Sequence, residues 1–335
     1  MISISNSKRL EWLDMAKGYG IIAVVIAHLG IPYIETWIYT FHIPLFFFLS
    51  GYVFKSDLSF KKFIKKRIKG LIIPYLGLGI PIVLFEVLTQ CYGKKSLLEG
   101  SIQKILQLIL QQRSWSLWYI TCLFCLNIIF YIAIKYVRNE KVIIIMSFVI
   151  CILGLIYYRC GGEALLWNID VCSTVAPFFL AGFILKKNDY YFNRFVNNVG
   201  NLKMILIFLF INILFGWSSY YLVGELNIFY NKYGFEILTY IAAFSGIFFV
   251  ITISRLRTVH SILYIGKNSL VYFGWHQAIM MPLIYKIYEI MKVFQGTSNI
   301  ELIIRTIITL PIIMIILTCV NWGISNSKLR IIVGH

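Results

Sequence analysis

Lys17 and His28 lie eleven positions apart in the stretch Asp14-Met-Ala-Lys17-Gly-Tyr-Gly-Ile-Ile-Ala-Val-Val-Ile-Ala-His28. An imidazole, with an ordinary pKa of about 6.5, can take a proton from a hydroxyl or carry a transferred group near neutral pH. On an α-helix eleven steps return both side chains to nearly one face, roughly 16 Å apart along the axis. An ionisable pair on an apolar helix is costly in lipid, so it belongs in a protein interior or a wet cavity. The structural alternatives are a lysine that snorkels to the interface and a histidine that hydrogen-bonds a neighbouring helix.

The helix that carries this pair has to lie in a membrane. Hydrophobic residues make up 59% of the 335, charged residues 13%, and the mean hydropathy is +0.80, far from soluble domains. Apolar stretches long enough to cross a hydrocarbon core recur over 16–33, 36–54, 70–90, 114–134, 142–158, 171–185, 204–222, 234–253, 268–289 and 301–322,. The expected fold is an all-α polytopic membrane protein, a bundle of about ten transmembrane helices in a single domain over 1–335, with no separate soluble domain. Pro44 and Gly51 mark the second stretch as one that can break inside the bundle. The sixth is short unless Asp170 lies at its mouth.

With the N-terminus inside, inner connections carry 21 Lys and Arg and outer ones 8, counting Lys286 near the outer end of the ninth stretch. This bias puts both termini in the cytoplasm and the chain in the cell membrane as a multi-pass protein. The formal charge of +17 is therefore read as topology and contact with anionic lipid, not as nucleic-acid binding. The run Lys61-Lys62-Phe63-Ile64-Lys65-Lys66-Arg67-Ile68-Lys69 is denser than topology needs and also suits a phosphate-rich cytoplasmic ligand. Cys122 and Cys125 have a CxxC spacing inside an apolar helix without nearby ligands, so no metal site is expected. The first helix lacks the small-residue cleavage pattern of a removable signal.

Several ordered words carry a resemblance. Arg9-Leu-Glu-Trp12-Leu-Asp14-Met-Ala-Lys17-Gly18, followed by His28, is similar to the Arg/Lys-x10-His signature of the acyltransferase 3 family of integral membrane acyltransferases, in its fucose 4-O-acetylase-like branch. The similarity continues through Phe41-His42-Ile-Pro44-Leu-Phe-Phe-Phe-Leu-Ser50-Gly51-Tyr52, the basic run with Arg67 ahead of Pro74-Tyr75, and Ser116-Leu-Trp118-Tyr119. Asn168-Ile-Asp170, Pro177-Phe-Phe-Leu-Ala-Gly182 and Gly266-Lys-Asn-Ser269-Leu leading to Trp275-His276 complete it. Lys17 stands where many members carry Arg, which removes the planar fork suited to bidentate phosphate binding.

The resemblance implies an O-acyltransferase that moves an acyl group, usually acetyl, from cytoplasmic acetyl-CoA to a hydroxyl of a cell-envelope or capsular glycan or its lipid-linked precursor. Acetyl-CoA would be a substrate, and no bound cofactor is expected. His28 is then the base or acyl carrier, with Lys17 and Arg67 at the donor phosphates. Asp14, one turn before Lys17, can pair with it but lies roughly 21 Å from His28. Glu35 is a candidate partner for the imidazole, and His42, His276 and Trp118 are candidates for binding the acceptor. Trp37, Tyr39 and Trp115 can stack on a sugar, or simply collect at the membrane interface. Glu86 reads as a structural partner for an intramembrane donor. A polytopic transporter or flippase, with the same residues along a path and no covalent chemistry, is the alternative.

Overall fold

The computed structural model describes residues 10–91, 97–137, 139–230 and 232–334. Arg9, which opens the first motif, and His335 lie outside the described residues. The chain folds into fifteen α-helices with one two-residue hairpin among the described residues. Seven helical segments are long and apolar enough to cross a membrane: 60–89, 118–137, 140–159, 166–199, 201–223, 236–256 and 299–325,. The other three expected stretches fall on shorter or interrupted helices, and these carry the three motif histidines.

Helix α1 (Glu11–Ala27) begins earlier than its apolar run and ends sooner, so His28 is its C-cap and not an interior residue. The second stretch is broken into α2 (Pro32–Tyr39) and α3 (His42–Tyr52). The break falls at Thr40–Phe41. Pro44 is accommodated in the first turn of α3, where its missing N–H would have no partner anyway. Every residue of α3 except Ser50 is buried, so this short helix forms the centre of the bundle.

Basic α4 (Phe60–Arg67) runs through a π-turn, Ile68–Ile72, into α5 (Ile73–Cys91). The external connection expected over 91–113 contains another helix, α6 (Leu97–Leu110). Helices α7 (Trp118–Val137) and α8 (Glu140–Arg159) follow, and α9 (Ile169–Val199) is far longer than the expected sixth span, with Asp170 buried in its first turn. A short hairpin, β1 (Leu226–Asn227) and β2 (Lys232–Tyr233), joins α10 (Asn201–Val223) to α11 (Glu236–Leu256). The last apolar stretches become α12 (His260–Lys267), α13 (Ser269–Trp275), a π-turn from His276 to Met280, α14 (Met281–Met291) and α15 (Asn299–Ser325).

Helix α3 packs on α9 and α1 packs on α12. Both crossings bring backbone against backbone. A Cβ at Gly51 would collide with the carbonyl of Phe179, one at Gly182 with that of Phe48, and one at Gly266 with that of Asp14. In lipid, where packing replaces the hydrophobic drive, small residues permit such crossings. Three glycines of the motif words thus set the distances among the helices that carry Lys17, His28 and His42. The hydropathic window of α9 is 67% buried, while those of α8, α10 and α15 are 22% buried. Exposed Ile145, Phe148 and Ile152 on α8, Phe210 on α10 and Ile307 and Ile315 on α15 give these outer helices an apolar face suited to lipid.

Candidate active site

Three imidazoles from three helices converge. The His28 ring lies 5.1 Å from that of His276 and 6.2 Å from Tyr39, whose ring is 5.0 Å from His42. Each histidine is fixed in the same way. His28 Nδ1 is 2.8 Å from the Val24 carbonyl, His42 Nδ1 3.0 Å from that of Ile38, and His276 Nδ1 2.9 and 3.0 Å from those of Tyr272 and Phe273. A carbonyl only accepts, so each Nδ1 carries the proton and each Nε2 presents a lone pair. Among the described residues no carboxylate hydrogen-bonds His28.

His28 and His42 line a cavity of about 120 Å³ together with Tyr39, Trp115, Trp118 and Phe229. His276 is fully buried behind His28 and does not line it, and its Nε2 has no partner among the described residues. A π-turn begins at His276 and another directly after Arg67, the kind of local irregularity that is frequent at functional sites. Glu35 does not meet His28. Burial, with Glu225 nearby, raises its pKa, and the neighbouring Tyr39 hydroxyl opposes the rise. Glu35 thus lies beside Tyr39 of the cavity wall without lining the cavity.

Lys17 lines a second cavity of about 240 Å³ with Lys267, Asn268, Gly70 and the C-terminal Val333–Gly334. Its ammonium lies 3.6 Å from Asp14. Arg67 is not part of this lining. It sits one turn before Gly70, its guanidinium over the rings of Phe54 and Phe63 at 5.6 and 5.0 Å, with Nε buried and unpaired among the described residues. Trp37 is turned away and donates to Asn212 at 2.7 Å.

The wall that presents Trp115 and Trp118 is held by a polar network. Arg113 forms a buried ion pair with Asp170, which also accepts from the Tyr158 hydroxyl at 2.7 Å and from the Leu165 N–H at 3.1 Å. Asn168 accepts from the Arg113 N–H at 3.0 Å and donates to the Gln111 carbonyl at 2.8 Å. Glu86 accepts from Trp115 Nε1 at 2.7 Å and lies 2.7 Å from the Lys104 ammonium. Gln111, Arg113, Trp115, Trp167 and Asn168 all have φ between 44° and 57°, each a cost of order 1–3 kcal/mol that surrounding contacts must hold.

The model of an acyltransferase domain, that of the acyltransferase 3 family, matches residues 10–325. The chain belongs to the acyltransferase 3 family. It is therefore a membrane acyltransferase, and the sequence words that carried the resemblance land on the histidine cluster, the Lys17 cavity and the glycine crossings. No curated protein and no solved structure matches the chain.

Two parts of this acyltransferase's site were not foreseen from its sequence. Arg113 counted only as a topological charge, although its pairing with Asp170 closes the wall. The hairpin counted only as a connection, although Asn227, Phe229 and Tyr230 line the His28 cavity. The signal was present in the buried alternation of Leu226 and Ile228 with Tyr233, but two-residue strands are too short for periodicity to declare.

Proposed function

We propose that this acyltransferase moves an acetyl group from cytoplasmic acetyl-CoA to a hydroxyl of a cell-envelope or capsular glycan, or of its lipid-linked precursor, with His28 Nε2 as the base. The observation that carries this reading is the pinning of His28 through Nδ1 on a backbone carbonyl, which leaves Nε2 as its reactive nitrogen beside an aromatic cavity. Trp115, Trp118 and Phe229 offer ring faces to a sugar, and Lys17 holds the donor end. The bias of 21 to 8 in basic residues supports a cytoplasmic position for Lys17. Arg67, one turn before Gly70 of the donor cavity, is assigned to a donor phosphate in the same proposal,. The branch resembling fucose 4-O-acetylases belongs to the same proposal.

In the reaction, Nε2 takes the hydroxyl proton as the oxygen attacks the thioester carbonyl. The C–S bond breaks, the imidazolium returns the proton to the departing thiolate, and an ester and a free thiol remain. If the acyl group rests on the enzyme first, the same nitrogen carries it. Radiolabelled acetyl-CoA supplied to membranes that contain the protein should label glycan. Movement of glycan across the membrane with all label left in acetyl-CoA would support the transport reading instead.

A further inference from the structure

The two cavities lie end to end, and four elements change from one to the other at a single level. On α1 the change falls between Ile21 and Val24, on α3 between Phe46 and Ile43, and at the start of α7 between Tyr119 and Trp118, while Phe273 of α13 lines both. At that level three rings close a triangle. Tyr119 and Phe273 have centroids 5.5 Å apart, Phe46 and Tyr119 6.0 Å, and Phe46 and Phe273 6.3 Å. The Tyr119 hydroxyl is 3.2 Å from Ser50 Oγ, which fixes one corner. Phe46 lies over Gly20, where a Cβ would come within 2.9 Å of its Cζ.

We propose that Phe46, Tyr119 and Phe273 select the acyl group by its cross-section. This rests on the acyl-CoA reading above. The rings touch one another, so a donor held at Lys17 with its thioester at His28 must part them with its acyl end first, and its pantetheine arm must stay between them during transfer. Carbon atoms in contact need about 4 Å between centres, so rings parted far enough for the unbranched cysteamine and β-alanine stretch next to the thioester also admit any straight acyl chain that precedes it. A fully branched α-carbon is wider than that stretch and meets the rings. Straight acyl groups therefore pass and bulky branched ones do not.

The test compares pentanoyl-CoA with pivaloyl-CoA, two donors of equal atom count that differ in branching. Transfer to the glycan acceptor is measured as kcat/KM for both donors in the wild type, Phe46→Ala and Phe46→Leu. The wild type should prefer pentanoyl by at least roughly 100-fold, and Phe46→Ala should reduce that ratio by roughly 10-fold or more. The ratio is independent of protein amount, and the lower intrinsic reactivity of the hindered thioester cancels between enzymes. Phe46→Leu gives the same test with less loss of packing if the alanine variant does not accumulate. A ratio unchanged in both variants would overturn the proposal, as would a wild type that uses the two donors alike. Failure of the wild type to transfer acyl groups from any donor, acetyl-CoA included, would instead remove the acyl-CoA reading beneath it.

Discussion

A histidine engaged in chemistry must keep one nitrogen back from the fold, and His28 does so by giving Nδ1 to the Val24 carbonyl. His42 and His276 are anchored in the same way, yet only His28 and His42 line the cavity. The proposed task of Lys17 is different. A charge-assisted contact to a phosphate is worth about 1.5–3 kcal/mol, so Lys17→Ala should raise the KM for the acyl donor by roughly 10-fold or more and leave that for the acceptor nearly unchanged. Steady-state kinetics with each substrate varied in turn would check this, and a change confined to the acceptor KM would place Lys17 outside the donor site. Each of these residue types was legible in the sequence. Their meeting was not, because Nδ1 anchoring is local whereas the approach of the His28 and His276 rings depends on two helices almost 250 positions apart in the chain.

At the scale of elements, hydropathy located most of the spans because length and apolar composition are local properties. It did not place the interruptions: Pro44 and Gly51 marked the second stretch as one that can break, but the break falls ahead of both. The end of α1 at His28, the break at Thr40–Phe41 and the π-turn at His276 are tolerated because freed backbone groups find partners inside the bundle. The loop before α7 shows how such irregular backbone is held. Its left-handed residues persist because Arg113, Asp170, Asn168 and Gln111 bind one another across two segments. Removal of one partner of a buried ion pair costs about 3–5 kcal/mol, so Arg113→Ala and Asp170→Ala should each lower the thermal stability of the detergent-solubilised protein, and the double variant should lose much less than the sum. Additive losses in unfolding measurements would show that the two side chains act independently.

At the scale of the whole molecule, the bundle separates a basic end with Lys17 from an aromatic end with His28. The charge bias predicts which is which: reporter fusions after Lys69 and after Lys203 should read cytoplasmic, and one within 91–113 external. An external reading at Lys69 would put the Lys17 cavity out of contact with a cytoplasmic donor. In the proposed reaction, acyl transfer runs through the free nitrogen of His28. His28→Gln keeps a polar side chain but removes the base, so labelled acetyl should reach the acceptor at least roughly 100-fold more slowly in membranes that hold the variant at the wild-type level. Transfer near the wild-type rate by a well-expressed His28→Gln protein would show that His28 is not the base and would move that role to His42.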